Sequence, residues 1–526
     1  MDETQGQPAQ GDAADRLALY SRTMGLPVKH SLFAELTFQD TLGIPIQYYR
    51  RMELVPLFAD DGVLTVALSD PSRFAAADDL AARAGCRAVH MVLSPPEEVQ
   101  AAINLLFDRS GEDTDQMVED LESAGEAEGF SDLDELEDLM EATHEAPVIR
   151  VVNGILTQAL RRGASDIHIE PYERDIAVRF RIDGILHEIL TLPKRFHAHI
   201  VSRVKVMADL DIAEKRLPQD GRMKVRVAGR TVDIRVSIIP MAHGERIVLR
   251  LLDKGVSLMG LGEMGMAADT LDAFSGFIQK NSGILLVTGP TGSGKSTTLY
   301  AALNRINSVE KNIVTIEDPV EYELSGVGQI QVNPKTSLTF ARGLRSVLRH
   351  DPDIIMVGEI RDLETVEIAV QASLTGHLVF STLHTNDAAG AVTRLVDMGV
   401  EPFLISSSLL GVLAQRLVRR ICPDCKEPFR PEGSRLEELG LRRDRSLWRG
   451  AGCEACMETG FQGRTGIFEL LVVDEAVRGL IASGADSVRI RDAGIRAGMR
   501  TLYTDGLDKV KNGVTTLDEV LRVTQE

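Results

Sequence analysis

The chain has 526 residues, with 58 Lys and Arg against 78 Asp and Glu and a formal net charge of −20. That length exceeds what one hydrophobic core serves, so several domains are expected. The acidic balance and the 5% share of aromatic residues argue against general nucleic-acid binding. The longest apolar stretch, around 403–418, is broken by Ser406, Ser407, Ser408, Gln415 and Arg416, so it does not read as a membrane span.

The chain opens with MDETQGQPAQGD, a polar acidic segment without the positive and apolar stretches of an export signal. It predicts an unexported, cytosolic chain that starts disordered. Residues 1–110 form the first candidate domain, small and mixed. Gly62–Leu68 reads as a strand ended by Ser69-Asp70-Pro71, Phe74–Ala84 as a helix, Ala88–Leu93 as a strand, and Pro96–Phe107 as a helix opening on Pro-Glu-Glu. No pattern here carries catalysis, so docking is the expected role, with Cys86 a small core residue. Residues 111–146 hold fifteen Asp or Glu and no Lys or Arg, leaving the rest of the chain near −5. Such a segment self-repels and reads as a flexible acidic linker. Its sparse apolar residues leave open a short amphipathic helix over 132–140 that binds a basic partner.

Residues 147–254 predict an arginine-rich α+β domain. Val148–Arg162 has Val151, Val152, Ile155, Leu156 and Leu160 on one helical face, and Gly163 stops it. Ser165–Pro171 and Ile176–Ile182 alternate as strands, and Asp183-Gly184 is a hairpin signal. Further strands are expected at Lys224–Val227, Thr231–Ile238 and Arg246–Leu252. Most of the arginines fit a solvated strand face; several could face phosphates instead.

Residues 255–421 carry the pattern that decides the chemistry. Gly289, Pro290, Thr291, Gly292, Ser293, Gly294, Lys295, Ser296 and Thr297 spell a G-x-x-x-x-G-K-S phosphate loop, placed between the apolar run Ile284–Val287 and a helical repeat at Leu299, Ala302, Leu303 and Ile306. Glycines let successive N–H groups face phosphate oxygens, the helix N-terminus adds positive potential, Lys295 reaches the β- and γ-phosphates, and Ser296 ligates Mg²⁺. ATP and Mg²⁺ are therefore the expected ligands. Ile313–Pro319, Ile354–Glu359 and Leu378–His384 read as further strands separated by helices, so a parallel sheet covered on both faces is expected. Ligands bind at the carboxyl ends of such strands, where Gly289, Glu317, Glu359 and His384 fall.

Hydrolysis needs a carboxylate to orient or deprotonate water. Glu359 is the expected water-activating residue. Gly358 stands where many phosphate-loop enzymes carry an Asp that holds Mg²⁺ through water, so that carboxylate is expected from Glu317 or Asp318, which otherwise form a turn before Pro319. His384 could sense the γ-phosphate, whereas His377 could be an ordinary polar residue. No arginine finger sits beside the loop in sequence. Arg235 and Arg250 in the preceding domain, and Arg345 and Arg349 on the helix over 338–350, are candidates to act in trans. Residues 422–470 form the next expected module. Cys422-x-x-Cys425 and Cys453-x-x-Cys456 suit a closed four-thiolate Zn²⁺ site with a structural role, the alternative being a redox dithiol. Residues 471–526 are expected to be helical.

GPTGSGKST, TIEDPVEY, LTFARGLRSVLRHDPDIIMVGEIRD and TGHLVFSTLHTND resemble the Walker A, Asp-box, Walker B and His-box motifs of the secretion ATPase superfamily. ASDIHIEP, LPQDGRMKVRVAGRTVDIRVS and HGERIVLRLLDK resemble the domain preceding its motor. DMGVEPFLISSSLLGVLAQRLVRRICPDC, with Gly463–Glu469, is most similar to the type II secretion ATPases; pilus-assembly ATPases are the runner-up. The resemblance implies an α/β multidomain protein, in which a RecA-like motor follows a PAS-like α+β domain, a small docking domain stands first, and a tetracysteine module is inserted. It also implies a homo-hexamer at the inner face of a bacterial inner membrane. ATP turnover would drive a membrane platform protein that assembles a pseudopilus, and the N-terminal domain would dock on the cytoplasmic domain of a bitopic membrane protein. No nucleic-acid partner is implied. A helicase-like translocase and a nucleotide-binding scaffold without turnover are the readings from other classes.

Overall fold

The computed structural model describes residues 20–29, 46–109, 145–227, 230–253, 259–430 and 447–525, with isolated positions between 30 and 45. The acidic linker lies almost wholly outside the described residues, as do residues 1–19. The chain divides into two compact units, one ending near Gly255 and the other running from Val256.

In the first unit, β1 (Leu54–Asp60), β2 (Val63–Leu68) and β3 (Ala88–Leu93) form a sheet in that order. The β1–β2 pair is antiparallel and the β2–β3 pair parallel. A parallel neighbour requires a crossover, and the helix Phe74–Arg83 supplies it. The helix Pro96–Arg109 buries Val99, Ala102, Ile103 and Leu106, one face at helical spacing, in the same core as Leu54, Val55 and Leu57.

The same unit contains a six-stranded sheet ordered β6-β5-β4-β9-β8-β7. Its strands are β4 (Asp166–Pro171), β5 (Asp175–Ile182), β6 (Ile185–Pro193), β7 (Gln219–Val227), β8 (Arg230–Met241) and β9 (Gly244–Asp253). The helix Glu145–Arg161 precedes it, and the helix His197–Met207 falls between β6 and β7. Neither β6 nor that second helix stands out in the sequence. Register aligns one row of charges across five strands: Arg222 opposite Arg235, Arg235 opposite Arg250, Arg250 opposite Asp166, and Asp166 opposite Arg181. Residues directly paired in antiparallel strands project on one face.

The second unit is built on a seven-stranded sheet ordered β12-β11-β13-β14-β10-β15-β18. Its strands are β10 (Gly283–Thr288), β11 (Ile313–Glu317), β12 (Gly328–Gln331), β13 (Ile354–Val357), β14 (Leu378–Leu383), β15 (Leu409–Ile421) and β18 (Phe461–Val472), while β16 (Lys426–Phe429) and β17 (Leu447–Gly450) form a separate hairpin. All pairs in the large sheet are parallel except β15–β18. The strand β10 is buried throughout and alternates its residues between two cores, Ile284 and Leu286 on one face, Leu285 and Val287 on the other. Burying each such side chain is worth about 1.5–3 kcal/mol, which is why the central strands read as unbroken apolar runs. The strand β18 crosses the expected boundary at residue 470 and pairs with β15 in the motor sheet, where its antiparallel edge departs from an all-parallel arrangement.

Candidate functional site

The phosphate loop leaves β10 and enters the helix Lys295–Ile306. Gly289, Gly292 and Gly294 take φ of 150°, 80° and 87°. A Cβ at Gly289 would also fall 2.5 Å from the Gln415 carbonyl oxygen and 2.6 Å from Ser293 Oγ, so conformation and close approach both require glycine. Pro290, Thr291, Gly292, Ser296 and Thr297 are exposed, while Ser293 and Lys295 are buried. Lys295 Nζ folds back to donate to the carbonyls of Gly289 at 2.7 Å and Pro290 at 3.1 Å. Burial pulls its pKa down to about 8; Glu359 opposes that pull and Arg416 adds to it.

Glu359 stands just beyond β13 and His384 just beyond β14, the strand next to β10. The Glu359 carboxylate pairs with Arg361 at 2.5 Å and lies 3.4 Å from His384 Nε2. Burial, followed by the charge of Lys295, lowers the His384 pKa, with Glu359 opposing, which favours the neutral imidazole. Strand order thus places Lys295, His384 and Glu359 on successive strand ends, with Glu317 one strand further on β11.

Glu317 is 4% exposed and occupied. Tyr300 Oη donates to it, Thr315 Oγ1 donates at 2.5 Å and Gln329 Nε2 at 3.1 Å. Burial, reinforced by Glu317, raises the Tyr300 pKa. The carboxylate joins β11, β12 and the phosphate-loop helix, while Asp318 beside it is exposed. The glycine before Glu359 also has a cause: a Cβ at Gly358 would lie 3.2 Å from the Ile316 carbonyl oxygen and 3.4 Å from Glu317 Cα. A side chain at this position would therefore press on the backbone of β11.

The four cysteines at 422, 425, 453 and 456 converge, with all sulfurs within 4.8 Å of one another. Sγ separations are 3.9 Å for Cys422–Cys453, 3.9 Å for Cys425–Cys456 and 3.6 Å for Cys453–Cys456. A tetrahedron with Zn–S near 2.3 Å has sulfurs about 3.8 Å apart, so the donor set fits Zn²⁺. The backbone N–H groups of Cys453 and Gly460 each donate to Cys456 Sγ at 3.2 Å, which favours a thiolate. Residues 431–446 of this module lie outside the described residues.

The profile of the family described as Type II/IV secretion system protein matches residues 141–522. The chain belongs to this family. It is 54% identical over 434 residues to the type II secretion system ATPase E of Vibrio cholerae, covering 82% of this chain and 86% of that one. It is 49% identical over 491 residues to the type II secretion system protein E of Pectobacterium carotovorum, covering 92% and 97%. The MshEN domain profile matches residues 24–113. The structure of the ATPase DotB of Legionella pneumophila superposes with a TM-score of 0.54 over 72% of this chain and 95% of that one, at 24% identity, a likeness of fold.

In this family member the remaining candidates have contacts of their own. Arg345 pairs with Glu364 at 2.5 Å, and Arg349 donates to the Arg345 carbonyl at 2.8 Å; both are exposed, Arg345 on the helix Phe340–Val347 packed against β11 and β13, and Arg349 in the turn just beyond it, since the helix is shorter than the expected 338–350. In the other unit, Arg235 and Arg250 line a cavity of about 450 Å³ together with Arg222, Asp220 and Ser237. Arg250 donates to Asp166 at 2.8 Å. His377 closes a helix end, its Nδ1 lying 2.8 Å from the Ala372 carbonyl. Sequence reasoning missed Arg361, Gln415 and Arg416, and names Arg222 only among the arginines of residues 147–254 that could face phosphates. Arg361 was signalled by its place two residues after Glu359. Nothing local signalled Gln415 and Arg416, which reach the loop through sheet order.

Proposed function

We propose that this chain is the ATP-hydrolysing motor of a bacterial type II secretion system, working as a homo-hexamer at the inner face of the inner membrane. The observation that carries the reading is the convergence of Lys295, Glu359 and His384 on adjoining strand ends, in a chain 54% identical to a type II secretion ATPase. The backbone of 289–297 cradles the phosphates of ATP, and Lys295 leaves its carbonyl contacts for the β- and γ-phosphates. Ser296 would hold Mg²⁺, which when bound neutralises charge on the phosphate oxygens. Glu359 orients or deprotonates the attacking water, with Arg361 and His384 fixing its carboxylate. A neutral His384 has one ring N–H, which faces Glu359 in the free chain and can turn to donate to a γ-phosphate oxygen when nucleotide is bound. Glu317, held by three donors, positions rather than reacts. The cysteines would hold Zn²⁺ in a closed, structural site.

Charge stabilisation is assigned in trans to Arg235 and Arg250. Like charges directly opposite on a sheet repel, and in the row described above Arg235 stands opposite both Arg222 and Arg250. A phosphate group of a neighbouring subunit's nucleotide relieves that repulsion. Arg222 joins the assignment. Residues 24–109 serve docking, with a cytoplasmic domain of a bitopic membrane protein as the partner, and the motor acts on a membrane platform protein.

Deleting the gene in its host, and scoring culture supernatants for exported enzymes and cells for surface pili, tests the reading. Lost secretion with intact pili is expected. Lost pili with normal secretion would assign the motor to pilus assembly instead.

A further inference from the structure

The phosphate loop is pressed against β15 rather than standing clear of it. The β10–β15 pairing ends at Thr288 opposite Ala414. The next two residues of β15, Gln415 and Arg416, run under the loop. Gln415 Oε1 accepts from Thr298 Oγ1 on the loop's helix at 2.6 Å. Arg416 is 5% exposed, and its Nη1 would lie 3.2 Å from a Cβ at Gly289. Its Nη2 reaches the other way and donates to the Asn386 carbonyl at 3.0 Å and to Asn386 Oδ1 at 3.2 Å.

Asn386 is two residues beyond His384. The intervening Thr385 is tied to β10, its N–H donating to Thr288 Oγ1 at 2.9 Å. The segment 384–386 is therefore fastened twice, by a hydroxyl of the strand that feeds the loop and by a buried guanidinium beneath the loop. Burying an arginine is costly unless its donors are met, and here Nη1 donates to the Gln415 carbonyl beneath the loop at 3.3 Å while Nη2 donates to Asn386.

We propose that Arg416 is a positioning residue that fixes His384 relative to the phosphate loop, so that imidazole, Glu359 and γ-phosphate hold one geometry. This rests on the assignment of His384 to the reaction made above. Arg416 itself touches no substrate. It sets the span between the loop's first glycine and the histidine segment, a distance that the β10–β14 pairing leaves undetermined past Leu383. Displacing a reacting group by about 1 Å can cost about a hundredfold in rate.

The test is a double-mutant cycle on the full chain, comparing Arg416→Gln, His384→Ala and both together for steady-state ATPase and for MgADP affinity. Arg416→Gln should lower kcat about a hundredfold while KM and MgADP affinity move less than about threefold. The double variant should fall no further than the worse single variant, because both changes remove one arrangement. Arg416→Lys should restore part of kcat. Asn386→Ala weakens the same contact from the exposed side without opening a cavity, and carries the cycle if Arg416→Gln does not fold. Losses that multiply in the double variant would overturn the coupling while leaving His384 in the reaction. Loss of MgADP affinity together with kcat would reduce Arg416 to a loop support and overturn it too. An unchanged kcat in His384→Ala would remove the His384 assignment, and this inference with it.

Discussion

Raising the pH from 7 to 9 should weaken nucleotide binding about tenfold, and Lys295 is the reason. Its pKa in the free chain is held down to about 8, chiefly by burial. The phosphates of a bound nucleotide favour the ammonium form, so the pKa in the complex is higher than in the free chain. Binding then takes up a proton wherever the pH exceeds the free value, and affinity falls as pH rises through it. With a free pKa of about 8, the lysine is about nine-tenths protonated at pH 7 and about one-tenth at pH 9. That makes the loss close to tenfold, or about 1.4 kcal/mol. Titration with a fluorescent ADP analogue at pH 7, 8 and 9, at constant ionic strength, reads the effect directly. Calorimetry in two buffers of different ionisation enthalpy should show an uptake of about half a proton at pH 8. Lys295→Arg keeps its charge throughout and should bind with no pH dependence across this range. Wild-type affinity that stays flat to pH 9 would show that burial does not depress this lysine.

Glu359→Gln should lower kcat by about 10²–10⁴ while leaving MgATP affinity within a few-fold, read by turnover beside nucleotide titration. Gly358→Asp should cost about 1–3 kcal/mol of stability, read as a lower melting temperature, because its Cβ meets the Ile316 carbonyl; a gain in activity without that loss would contradict the steric account. Cys453→Ser should abolish stoichiometric zinc by elemental analysis and lower the melting temperature by roughly 10 °C. Arg250→Ala and Lys295→Ala subunits, each inactive alone, should regain ATPase when mixed in one hexamer, a finger in trans being worth about 10³–10⁵; no regain in verified mixed hexamers would count against the trans assignment.

What could be read from the sequence was local. The phosphate loop, the buried strands before it and after it, and the two cysteine pairs announce themselves within a dozen residues. Glu359 and His384 could be named because strand ends are where such sheets place chemistry. Contacts made by sheet order could not be read. Arg416 looks in sequence like an interruption of an apolar stretch; it is buried because Asn386, thirty residues earlier, supplies its acceptors. Glu317 offers itself as a second acid, yet Tyr300 and Gln329, brought to it by the helix and by the short strand β12, occupy its oxygens. The strand β18 escaped because its inner half is buried on both faces, which removes the alternation that marks a half-exposed strand.

If the four cysteines hold Zn²⁺ as proposed, the β15–β18 pair ties the fate of the motor sheet to metal supply. The chain leaves β15 at Ile421, visits all four cysteines, and returns at Phe461 to pair with the strand it left, Ile421 opposite Phe461 and Gly411 opposite Val472. Closing a loop of that length from the unfolded chain costs roughly 3 kcal/mol; a metal ion held by the four cysteines would offset part of that cost. If the ion is missing, β15 presents an unpaired edge whose side chains are largely apolar, the feature that promotes edge-to-edge association. Zinc starvation during synthesis should therefore show first as insoluble protein rather than as soluble protein with a damaged ATPase, and recombinant yield should follow the zinc content of the growth medium.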